Sequence, residues 1–125
     1  MNIGIDYDNT ITTNPIFFKE FVSSLVKEDS NTIYIISSCA KIDEPMFDEI
    51  HKRKSAQLKE WGIPFRKLEL ALEPIPENKT KLCKAYGIDL MIDDDMGNIS
   101  EITRNTSKTV CLQFISRDGN PGDLQ

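Results

Sequence analysis

Asn2-Ile3-Gly4-Ile5-Asp6-Tyr7-Asp8-Asn9-Thr10 is the stretch on which the reading of this chain turns. Ile3 to Ile5 is a short apolar run that predicts a buried strand, and it stops abruptly at Asp6 and Asp8. Side chains two apart in a strand lean to the same side, so these carboxylates are expected to crowd one another. The repulsion is relieved by a shared proton or a bound cation. Asn9 tolerates the left-handed backbone that a sharp exit needs, and Thr10 adds a hydroxyl and an N–H at the same rim. A plain surface turn explains Asp and Asn but does not require carboxylates at this spacing after a buried strand.

The 125 residues suit one domain with a real core, expected over 1–116 with a loose Gly- and Pro-containing tail over 117–125. A net charge of −5 argues against a broad basic nucleic-acid-binding face. No apolar run approaches the roughly 20 residues of a membrane span. The start lacks the basic-then-apolar layout of a secretory signal, so a cytoplasmic location is expected. Cys39, Cys83 and Cys111 form no CxxC pair, and with His51 as the single histidine they fall short of a zinc site. Free thiols are the expectation.

Beyond Thr10, Pro15 opens a helical pattern carried by Phe17, Phe18, Phe21 and Leu25. Thr32 to Ile36 is β-branched and apolar throughout, the habit of a strand covered on both faces, and Ser37 and Ser38 follow it directly. Asp43 or Glu44 with Pro45 starts a helix that stops at Gly62, with Met46, Phe47, Ile50, Leu58 and Trp61 as core positions and His51 to Lys54 as a solvated basic patch. A third strand is expected within Phe65 to Leu72. Pro74 and Pro76 then predict a rigid loop before a helix from about Asn78 to Gly87. Leu90 to Ile92 is a brief strand running into Asp93-Asp94-Asp95, followed by a short helix and a fifth strand over Thr109 to Ile115.

Alternating strands and helices imply right-handed crossovers and an α/β, three-layer, doubly wound parallel sheet. Such sheets bind ligands beyond the carboxyl ends of their strands. Asp6, Asp8, Ser37, Ser38 and Asp93 to Asp95 all fall at that edge. Serines there are ordinary turn formers, and Asp94 or Asp95 can serve as a helix N-cap. A calcium loop is excluded because its glycine and closing glutamate are missing at the required offsets. Several carboxylates at one edge still call for a cation, and oxygen ligands point to Mg2+. With a nucleophile, a proton shuttle, hydroxyl donors and a nearby positive charge, the edge holds a candidate for each part of phosphoryl transfer.

Taken together, IGIDYDNT, YIISS, Asn78-Lys79-Thr80-Lys81 and LMIDDD resemble, in order, the four motifs of the haloacid dehalogenase (HAD) superfamily of phosphohydrolases. The resemblance runs from Ile3 to about Ile115. It implies a five-stranded Rossmann-like sheet in the order 5-4-1-2-3. It also implies a magnesium-dependent phosphomonoester hydrolase with Asp6 as the nucleophile that forms an aspartyl-phosphate and Asp8 as general acid and base. Thr10 is implied as loop support, Ser37 with Ser38 as phosphate ligands, and Lys79 as the neutralising charge, preferred over Lys81. Asp93 and Asp94 complete the magnesium site beside Asp6 and Asp8. Asn9 departs from the glycine usual in the family.

The segments after the first and second motifs are too short for a cap domain, which implies an open site and a phosphorylated substrate that is bulky or macromolecular, or a homo-oligomer whose neighbour acts as lid. Capless phosphatase domains of the polynucleotide-kinase type, acting on a nucleotide or polynucleotide end, resemble this layout. Two alternatives belong to other classes. A response-regulator-like receiver module would need an Asp after the third strand and a Lys after the fifth, where Ala71-Leu72-Glu73 and Ile115-Ser116-Arg117 stand. A catalytically silent HAD-like binding domain would keep the fold without turnover.

Overall fold

The computed structural model describes residues 1–40 and 43–115. The order along the chain is β1 (Asn2–Ile5), a 3-10 turn (Ile11–Thr13), α1 (Pro15–Leu25), β2 (Thr32–Ser38), α2 (Glu44–Glu60), β3 (Lys67–Ala71), α3 (Ile75–Ala85), β4 (Leu90–Asp93), α4 (Met96–Asn105) and β5 (Val110–Gln113). Among the described residues all pairings are parallel, in one sheet of order β3-β2-β1-β4-β5. That is the reverse of the sense in which the expectation was written, and β1 is central in both.

Strand alternation divides the core between two helical layers. Ile3 and Ile5 of β1, Ile33 and Ile35 of β2 and Ile92 of β4 pack with Phe18 and Val22 of α1 and Leu58 of α2. On the opposite face Ile36 and Met91 pack with Cys83 of α3 and Ile102 of α4. Gly4 lies on this second face, where an added Cβ would stand 2.7 Å from the Met91 sulfur, so the glycine leaves room for the Met91 side chain over β1.

Helix ends follow local chemistry. Asn14 caps α1 by accepting from the Phe17 N–H, and Asp43 caps α2 by accepting from the Met46 N–H. Gly62, with φ +73°, closes α2. α3 begins at Ile75, not near Asn78: Pro74 stands just before it, making no side-chain capping bond, and Pro76 sits in the first turn, where a missing N–H costs nothing. Met46, expected in the core, is exposed. The expected tail over 117–125 lies outside the described residues. No described helix is long and apolar enough to cross a membrane.

Candidate functional site

The carboxyl ends of β1, β2 and β4 meet at one edge. Register Ile5↔Ile92, extended by the Asp6 N–H to Ile92 carbonyl bond of 2.9 Å, sets Asp6 beside Asp93. Asp6 shares a face with Gly4, and Asp93 with Met91, so both carboxylates turn toward the α3 and α4 layer. Lys79 comes from α3 and places its ammonium 2.7 Å from Asp6 Oδ1 and 2.8 Å from Asp93 Oδ2, with 1% of its side chain exposed. Lys81, two residues on, is exposed and lies instead beside Phe47 and Leu82.

Ser37 has the parity of Ile35 and therefore faces the α2 layer. There Lys54 donates to Ser37 Oγ at 2.8 Å, to Asp8 Oδ2 at 3.0 Å and to the Ser38 carbonyl at 3.2 Å. Its ammonium also lies 5.0 Å from the centre of the Tyr7 ring. The solvated patch expected over His51 to Lys54 holds for Lys52 and Arg53, which are exposed, and is corrected at its ends: Lys54 is 14% exposed and part of the site, and His51 Nε2 is 2.8 Å from the Leu68 carbonyl. Lys54 was legible in principle. Phe47, Ile50, Lys54, Leu58 and Trp61 recur at three and four residues, so Lys54 falls on the inward stripe of α2.

The turn after β1 behaves as its residues dictate. Asn9 adopts φ +62°, and its N–H is held by Thr12 Oγ1 at 2.9 Å. The Thr10 hydroxyl is buried and donates to Asp6 Oδ2 at 3.1 Å, so it positions a carboxylate instead of facing solvent. Beyond β4, Asp95 caps α4 by accepting from the Asn98 N–H. Asn98, which sequence reasoning missed, is buried and donates from Nδ2 to Asp93 Oδ2 at 3.3 Å.

Asp6, Asp93 and Asp94 each present an oxygen within 4.8 Å of the others. Asp8 stands apart from this trio, with its side chain 46% exposed and paired to Lys54. Three clustered carboxylates, two of them paired to one ammonium, leave a negative surplus. Burial pushes the Asp6 pKa up to about 8, against the pull of Lys79 and with a further push from Asp93. Burial, with Asp93 adding to it, also raises Asp94. Burial alone would lower the Lys79 pKa, but Asp6 and Asp93 outweigh it and hold it above the ordinary lysine value. The donor set fits a hard cation. Opposite oxygens around Mg2+ stand about 4.2 Å apart, and around Ca2+ somewhat more.

Over this trio opens a cavity of about 320 Å3 lined by Asp6, Asp8, Asn9, Ser38, Lys79, Asp94, Asn98 and their neighbours. Beside it lies a second, of about 310 Å3, which shares Asp8, Ser38 and Ile75 with the first.

No protein-family model matches this chain, and no curated protein does. Solved structures do. A universal stress protein in complex with cAMP matches with a TM-score of 0.56 at 8% identity, over 90% of this chain and 96% of that one. A protein of the universal stress protein family from Burkholderia pseudomallei matches at 0.54 and 12%, over 90% and 96%. An uncharacterized protein from Corynebacterium glutamicum ATCC 13032 Kitasato matches at 0.60 and 12%, over 94% and 86%. At these identities the likeness concerns the fold, a Rossmann-like three-layer sheet.

This finding overturns the haloacid dehalogenase assignment, because the named neighbours are universal stress proteins, whose Rossmann-like fold is distinct from that of those phosphatases. The magnesium-dependent phosphatase activity, the aspartyl-phosphate on Asp6, the acid–base role of Asp8 and the status of hydrolase are withdrawn with it. The physical reason lies in the motifs. Each is one strand end or one helix start, and a doubly wound sheet brings polar residues to such positions for any ligand chemistry. What the chain is similar to is therefore a fold shared with universal stress proteins.

Proposed function

We propose that this chain is a nucleotide-binding module that holds the phosphate of its ligand through a divalent cation, Mg2+, at the carboxyl edge of the sheet. The observation that carries the reading is the carboxylate surplus: Asp6, Asp93 and Asp94 cluster beneath an open cavity, where Lys79 pairs with the first two. A cation would offset that surplus and present its free positions to a phosphate oxygen. Asp94, the least buried of the three, supplies the outer ligand, with Asp6 and Asp93 beneath it. Ser38 and the backbone around Asn9 line the phosphate's side of the cavity. Thr10, Ser37 and Asn98 act one step back by orienting Asp6, Lys54 and Asp93. A nucleotide is favoured as ligand because the site lies where doubly wound sheets bind them, and because a protein of the same fold holds cAMP.

Isothermal titration with GMP and AMP, with and without Mg2+, tests this. Binding should require the cation and weaken at least tenfold in Asp94→Asn. Binding that is indifferent to Mg2+ overturns the cation-bridged reading, and release of inorganic phosphate from the bound nucleotide overturns the binding-module reading.

A further inference from the structure

The geometry points to the second cavity as the seat of the nucleobase, an inference that rests on the nucleotide reading above. This cavity adjoins the carboxylate trio's cavity through Asp8, Ser38 and Ile75, so one ligand can occupy both. Its lining argues against a second phosphate. Lys54 is already committed to Asp8, Ser37 and the Ser38 carbonyl, and Asp8 and Glu73 bring two carboxylates to the wall. Ile50 and Ile75 instead offer apolar surface to a flat ring. Arg53 is exposed at the same wall and, among the described residues, has no carboxylate within 4.0 Å. A guanidinium plane can stack on an aromatic ring. Glu73 supplies the acceptor that fixes the ring's edge, and a carboxylate pairs best with two adjacent N–H donors. Guanine carries such a pair and adenine does not, so the cavity is fitted to a guanine nucleotide.

The experiment is calorimetric titration of GMP, AMP and ribose 5-phosphate in the presence of Mg2+. The wild type should bind GMP about tenfold or more tighter than ribose 5-phosphate, the size expected of one stacked base, and tighter than AMP. Arg53→Ala should bring GMP toward ribose 5-phosphate, and Glu73→Gln should erase the preference over AMP. Neither should alter the affinity for ribose 5-phosphate. Equal affinity for GMP and ribose 5-phosphate, or an unchanged ratio in both variants, overturns the base subsite while leaving the phosphate reading in place. Asp94→Asn separates the two: it should weaken all three ligands alike. If it weakens none while the GMP preference persists, the cation-bridged phosphate fails and the base subsite stands. If the wild type binds none of the three, both are overturned.

Discussion

At the scale of single residues, Lys79 determines whether the site can exist without a cation. Removing one partner of a buried charge pair leaves the others uncompensated, at a cost of about 3–5 kcal/mol. Lys79→Met is therefore expected to lose that much stability by urea denaturation at pH 8, and less at pH 5. The pH dependence follows from Asp6. Its pKa rises from 3.8 to about 8 on folding, chiefly through burial. Between those values the folded protein holds a proton that the unfolded chain has released, so stability falls as pH rises across the window. In EDTA the melting temperature should drop from pH 5 to pH 8, Asp6→Asn should flatten the drop, and Mg2+ should restore much of it at pH 8. A wild-type profile parallel to that of Asp6→Asn would show that Asp6 does not carry the linkage.

At the scale of elements, the layer beneath the site depends on how side chains pack where β1 meets β4. Gly4→Ala would place a Cβ 2.7 Å from the Met91 sulfur and 3.2 Å from Ile36 Cδ1, both in a packed layer. Overpacking of this kind costs roughly 1–3 kcal/mol, taken up by displacement of the Met91 side chain in the layer that Asp6 and Asp93 also face. The expected result is lower stability together with a smaller thermal shift by Mg2+. A helix cap is a simpler case. Asp43→Ala removes the acceptor for the Met46 N–H at 3.0 Å and should cost about 1 kcal/mol without touching the cation response. A lost cation response in Asp43→Ala would contradict the assignment of the site to the strand ends.

Across the whole molecule, stability should be graded from the centre of the sheet outward. β1 is hydrogen-bonded on both edges, and Ile3 and Ile5 are buried, whereas β5 closes one edge with Val110 and Leu112 exposed. Amide exchange should therefore be slowest in β1 and fastest in β5 among the strands. Val110→Thr and Leu112→Thr should each change stability by no more than about 0.5 kcal/mol. Slow exchange in β5 would mean that its outer edge, unpaired among the described residues, is covered. The other edge is protected differently, since β3 carries Lys67 and Glu69, paired at 3.7 Å.

The elements and the edge they share were legible in the sequence, because the forces that set them act over a few residues. Apolar runs ending at Asp6, Ser37 and Asp93 marked three strand ends, Asn9 marked the left-handed turn, and Asp43 and Gly62 marked the limits of a helix. α3 starts earlier than its sequence suggests, because Pro76 reads as a helix breaker unless the turn it occupies is known. The partners of the site were another matter. Lys79 meets Asp6 across 73 positions and Lys54 meets Asp8 across 46. Such pairs are set by strand register and by which layer each helix joins. The same limit undid the family assignment: four short motifs encode strand ends that many chemistries share, and neighbours with this fold carry another name. Periodicity determined which faces are buried, while only the packed sheet decided that each helical layer sends one lysine to the same carboxyl edge.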